Sequence, residues 1–110
     1  MRDQRKKRYR IVFMTAANED EAHRIANALV EKKLTACVNI IHAVRSIYRW
    51  EGKIEDDCEL LLIAKTTKSN VEKLIREVKK IHSYKVPEII SLAIESGNEE
   101  YLAWLEGSTE

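Results

Sequence analysis

Apolar residues along this chain recur with two different periods, and each change of period marks a new element. Tyr9 to Ala16 reads as a short apolar strand. Ala22, Ile25, Ala26, Leu29 and Val30 then fall at i, i+3, i+4, i+7 and i+8, one stripe of a helix. Asn18 and Glu21 predict a capping box at its start, and Lys32 and Lys33 suit its C-terminus. From Ala36 to Thr67 the period falls to two. Val38, Ile40, Val44, Tyr48 and Trp50 alternate before a corner at Trp50-Glu51-Gly52-Lys53, and Ile54, Cys58, Leu60 and Leu62 alternate after it. Ser69 and Glu72 predict a second capping box, ahead of a helical stripe of Val71, Leu74, Ile75, Val78 and Ile81. Pro87 closes the next linker, Ile89 to Ile94 form a strand, and Asn98 caps a short helix carrying Tyr101, Leu102, Trp104 and Leu105.

The order is β-α-β-β-α-β with a helical tail. Right-handed crossovers fold it into an α+β, ferredoxin-like split β-α-β: an antiparallel sheet, both helices on one face, a long hairpin and a short C-terminal helix. A strand from Ala36 to Trp50 would run to roughly 50 Å, whereas a domain of this size is about 35 Å across. The hairpin therefore overshoots its own domain. Its far end carries Ile47, Tyr48, Trp50 and Ile54, whose burial calls for another copy of the chain. Matching the apolar faces predicts a three-residue loop, Glu51-Gly52-Lys53, with Trp50 opposite Ile54, Ser46 opposite Cys58 and Cys37 opposite Thr67. The two cysteines are then about 30 Å apart, beyond disulfide reach, and two free thiols suit a reducing, cytoplasmic compartment.

At 110 residues the chain reads as one domain, residues 9–110, behind a basic arm at 1–8. That arm (Met1-Arg2-Asp3-Gln4-Arg5-Lys6-Lys7-Arg8) leads into a strand and contains no secretory leader core. No second basic cluster or aromatic interleaving supports nucleic-acid binding, and the third strand lacks the aromatics on which RNA-recognition modules stack bases. No apolar run approaches the ~20 residues of a membrane span. Charged residues make up 34% of the chain but nearly cancel to +1, which suits a surface rich in ion pairs.

Catalytic signatures are absent: no Walker A loop, no G-x-S-x-G, no G-x-G-x-x-G, no C-x-x-C and no H-E-x-x-H. With three glycines the chain is poorly equipped to cradle phosphates, and the expectation is a protein without catalytic turnover. His23 falls on the polar side of the first helix. His42 interrupts the apolar face of the hairpin, the mark of a bulge or a hydrogen-bonded imidazole. His82, in Ile81-His82-Ser83-Tyr84-Lys85-Val86-Pro87-Glu88, sits among polar groups where the second helix ends. Cys37 and Met14 offer soft sulfurs, although core packing is the ordinary role of both. Glu55-Asp56-Asp57 with Glu59 reads as a solvated strand edge.

Five segments in order carry a resemblance: Leu34-Thr35-Ala36-Cys37-Val38-Asn39, Tyr48-Arg49-Trp50-Glu51-Gly52-Lys53, Lys65-Thr66-Thr67, His82-Ser83-Tyr84-Lys85-Val86-Pro87-Glu88-Ile89 and Tyr101-Leu102-Ala103-Trp104-Leu105. From about Arg10 to its end the chain resembles the CutA divalent-cation-tolerance family. The resemblance implies a ferredoxin-like homotrimer similar to the PII signalling proteins, with hairpins reaching neighbouring subunits. It also implies a cytoplasmic protein of the response to metal ions, holding copper(II) or another divalent cation weakly, with room for an unidentified protein partner. The family's cation site matches His82, and Cys37 matches as well. A cysteine of some members aligns with Met14, a neighbouring histidine with Ile81, and the usual proline after the histidine with Ser83. The implied metal residues are His82, Cys37 and Met14, with Lys65, Tyr84 and Glu88 lining a cleft. The alternative is a PII-like sensor that binds nucleotides or other small molecules between subunits, although Glu51-Gly52-Lys53 is short for a regulatory loop.

Overall fold

The computed structural model describes residues 8–110, so the basic arm expected at 1–8 lies, apart from Arg8, outside the described residues. The elements are β1 (Tyr9–Ala16), α1 (Glu19–Glu31), β2 (Cys37–Trp50), β3 (Lys53–Thr67), a 3₁₀ turn (Lys68–Asn70), α2 (Val71–Ile81), β4 (Ile89–Ala93) and α3 (Glu99–Gly107). The sheet runs β2-β3-β1-β4, with every neighbouring pair antiparallel. This is the expected ferredoxin-like arrangement. Val12, Met14 and Ala16 of β1 and Leu60, Leu62 and Ala64 of β3 face Ala22, Ile25 and Leu29 of α1 and Leu74 and Val78 of α2 in one core. Both long helices thus cover the same side of the sheet.

Helix ends follow the expected chemistry in part. Asn18 caps α1 by accepting the Glu21 N–H at 2.9 Å, and Asn98 caps α3 by accepting the Glu100 N–H at 2.9 Å. The first capping box is not reciprocal, because the Glu21 carboxylate bonds the Ala17 N–H and turns inward. At its far end α1 leaves through Lys33 at φ 59°, with the Leu34 N–H on the Leu29 carbonyl at 2.9 Å, a Schellman closure. The second capping box does not form. Ser69 lies inside the 3₁₀ turn, where the Val71 N–H already bonds the Lys68 carbonyl, and its hydroxyl meets that of Thr67 at 3.2 Å.

The hairpin departs from the expected register twice. Trp50 stands opposite Lys53, Ser46 opposite Asp57 and Cys37 opposite Lys65. The corner is a two-residue turn with Glu51 at φ 49° and Gly52 at φ 79°. Both values are positive, as a type I′ turn requires, and only Gly52 adopts its value without strain. Farther down, Ile41 pairs with Leu61 but Val44 with Glu59, so His42 and Ala43 together face Leu60 in a bulge, with Ala43 at φ 60°. The interruption at His42 is therefore a bulge, and it reverses the faces of the outer β2. Ile54 and Cys58 do not share a face with Tyr48 and Trp50. Both cysteines are free.

β1 ends opposite Leu60, and beyond that point β2 and β3 continue as a two-stranded arm. The molecule measures 46 × 26 × 23 Å, its length set by this arm. Ile47 and Ile54 are 67% and 70% exposed there, with Tyr48 and Trp50 also exposed.

Candidate functional site

Where β1 stops, the chain leaving α2 takes its place beside the arm. His82 caps α2 with its N–H on the Val78 carbonyl, and its side chain is wholly buried. Its Nε2–H donates to the Thr15 carbonyl at 2.7 Å, while Nδ1 accepts the Tyr84 N–H at 3.0 Å. These bonds fix the Nε2–H tautomer and leave neither nitrogen free for a metal. The imidazole also packs against the Tyr84 ring, centroids 4.6 Å apart. His82 therefore orients Tyr84.

Glu21 holds the same segment from below. It is 2% exposed, and its carboxylate accepts the Ala17 N–H at 3.0 Å and the Ser83 N–H at 2.6 Å, with His82 Nδ1 3.8 Å away. Burial works against its charge, but the hydrogen bonds from Ala17 and Ser83 outweigh it and hold the carboxyl below its ordinary range. A proline at Ser83 would have no N–H to give, so this anchor depends on the residue present here.

Tyr84 in turn reaches the arm, its hydroxyl donating to Glu59 Oε2 at 2.5 Å. Burial first, and then the Glu59 carboxylate, push this phenol well above its ordinary pKa. Glu59, read from the sequence as part of a solvated acidic edge, is 6% exposed. On the arm itself the Tyr48 hydroxyl donates to Asp57 at 2.7 Å, which pushes Tyr48 up to about 12. A cleft of about 670 Å³ opens between segment and arm, lined among others by Tyr48, Trp50, Glu59, Tyr84 and Glu88.

The six residues singled out in the sequence do not form one site. Tyr84 and Glu88 share this cleft. Lys65 does not line it; it bonds the Asn39 side chain on the sheet face away from α1 and α2. Cys37 pairs opposite Lys65 on that same face, its sulfur 3.7 Å from the Tyr101 hydroxyl of α3. Burial, followed by that thiol, pushes the Tyr101 phenol up. Met14 is fully buried in the core. Among the described residues no three His, Cys, Asp or Glu side chains converge to hold a metal ion. The donor set of a single chain does not fit a preformed copper site. The sequence does not single out Glu21 and Thr15 as partners of His82, or Glu59 as the partner of Tyr84. For Glu59 the available signal was its place against the apolar run Leu60-Leu61-Leu62-Ile63-Ala64.

A four-stranded ferredoxin-like sheet, a bulged two-stranded arm that runs past the end of β1, and a histidine-anchored segment beside that arm define an α+β protein of the ferredoxin-like class. The family model described as "CutA1 divalent ion tolerance protein" matches residues 10–108. The chain belongs to that family. It is 50% identical over 99 residues to the "Divalent-cation tolerance protein CutA" of Thermus thermophilus, covering 90% of this chain and 96% of that one. It is 49% identical over 98 residues to human "Protein CutA", covering 89% of this chain but 55% of that longer protein. Among solved structures, CutA1 from Oryza sativa superposes with a TM-score of 0.92 at 43% identity, covering 96% of each chain. The Thermus thermophilus protein superposes with a TM-score of 0.91 at 49% identity, covering 93% of this chain and 99% of that one.

Proposed function

We propose that this chain works in the cytoplasm as a homotrimer serving tolerance of divalent cations, contacting copper(II) or another divalent cation weakly and without catalytic turnover. The observation that carries the reading is the arm. Ile47 and Ile54 stand 67% and 70% exposed on a ribbon that the other described residues leave uncovered there. Exposed apolar surface of this kind, continuous with unpaired strand edges, is covered in solution by other copies. A cation then meets donors of more than one subunit, which suits a chain in which no three His, Cys, Asp or Glu side chains converge among the described residues.

Sedimentation velocity at micromolar concentration tests the assembly. Three times the chain mass is expected, with dissociation in Ile47→Glu/Ile54→Glu; a stable, folded single subunit of the unmodified chain refutes it. Calorimetric titration with copper(II) tests the cation. Weak, saturable binding is expected, and heats no larger than those of dilution refute the cation contact.

A further inference from the structure

Glu59 is a buried carboxyl group that no basic side chain among the described residues pairs with. Among the described residues its hydrogen-bond partner is the Tyr84 hydroxyl, and no Lys, Arg or His forms an ion pair with it. Taking a carboxylate out of water without a counter-charge is costly, and the cost falls when a cation is bound beside it. The carboxylate does not face closed protein. It lines the cleft of about 670 Å³, within the ~300–1,000 Å³ range of small-molecule sites.

The other walls indicate which kind of cation fits. Tyr48, Trp50 and Tyr84 line the same cleft, and their ring faces attract weakly hydrated positive charge. Glu51 and Glu88 add negative charge, and among the described residues Lys85 is the one basic side chain of the lining. Lys85 is exposed and makes no ion pair with Glu59 among the described residues. A hard metal ion needs about six or more close oxygen ligands, and among the described residues not even three His, Cys, Asp or Glu side chains converge here. An alkylammonium group needs one carboxylate and aromatic walls.

We propose that the cleft formed by Glu59, Tyr84, Tyr48 and Trp50 binds a small organic cation of the alkylammonium class. Glu59 supplies the counter-charge and the rings the walls, while His82 acts as a positioning residue by fixing Tyr84. All these groups come from one chain, so the site does not rest on the proposed trimer or on copper.

The test is titration of the assembled protein with n-butylammonium chloride, against sodium chloride at equal ionic strength. Trp50 fluorescence, read in a Trp104→Phe background, reports occupancy. A saturable change in the millimolar range is expected. Glu59→Gln should weaken it by about tenfold, with the circular dichroism and sedimented mass unchanged. Tyr84→Phe keeps the ring and should stay within about threefold of the parent. A response no different from sodium overturns the proposal, as does equal affinity in Glu59→Gln or full displacement by equimolar magnesium or copper(II). A response that appears only after Lys53→Ala also overturns it, because the cleft is then filled by the arm-tip ammonium of another copy.

Discussion

Replacing Glu21 by Gln should cost this protein roughly 3 kcal/mol, and the loss should fade in acid. The side chain is 2% exposed, and its two oxygens accept N–H bonds from Ala17 at 3.0 Å and Ser83 at 2.6 Å. Glutamine keeps the shape but has one acceptor oxygen, so its amide NH₂ must face one of those N–H groups. One charge-assisted bond is lost, worth about 1.5–3 kcal/mol, and the other weakens to a neutral bond, a further ~1 kcal/mol. The pH dependence has a definite sign. The folded carboxyl sits below its ordinary value because the hydrogen bonds outweigh burial. Its contribution is therefore complete above the unfolded pKa of about 4.3 and is lost as pH falls through the lower folded value. Glutamine does not titrate. Urea unfolding followed by circular dichroism, at one fixed protomer concentration, should show the widest gap near neutral pH and a narrowing gap below about pH 4. A gap under about 1 kcal/mol near neutral pH, or one that does not change on acidification, refutes the reasoning. Ser83→Pro removes one of the same donors and should lose about 1.5–3 kcal/mol with the same acid dependence.

Leu29→Ala deletes a fully buried side chain between α1 and the sheet and should cost about 2–5 kcal/mol by urea unfolding. In a spectrophotometric titration Tyr48 should ionise near 12, because Asp57 holds its proton, and Asp57→Asn should return it toward about 10. At the bulge, Ala43 has φ 60°. Ala43→Gly should unfold within about 0.5 kcal/mol of the parent, since relief of strain offsets added chain entropy, whereas Ala43→Val should lose about 1–2 kcal/mol.

Element order and type were legible in the sequence because periodicity is a local signal. β1 has the expected bounds, and the α2 stripe of Leu74 and Val78 is buried as its spacing predicts. The register was not legible. Alternation keeps even-numbered apolar residues on one face through the whole hairpin, and a one-residue insertion breaks that rule without altering composition. Glu21 illustrates a different limit. Asn18-Glu19-Asp20-Glu21 is a sound capping signature, but Ser83, the residue that draws the carboxylate inward, lies 62 positions away. His82 stood out as a polar residue at a helix end. Its role did not, because the Thr15 carbonyl that takes its Nε2–H is 67 positions distant.

The bulge at His42 and Ala43 connects the fold to the cleft. Below it, Val38 and Ile40 of β2 pack against the core beneath α1 and α2. An unbroken strand would carry Val44, Ser46, Tyr48 and Trp50 on that same face. One extra residue turns them over, so that Val44 pairs with Glu59 and Tyr48 bonds Asp57. The aromatics of the arm then face the segment held by His82 and Glu21, and Tyr84 closes the distance to Glu59. The same inversion places Arg45 in a two-bond pair with Asp56, at 2.8 and 2.6 Å, on the opposite side of the arm, beside the exposed Ile47 and Ile54. The arm thus presents two chemically different faces. The side with Tyr48 and Trp50 lines a cleft within the chain, which Ile47 also borders, and the other side carries the exposed Ile54, where the proposed trimer would place another copy.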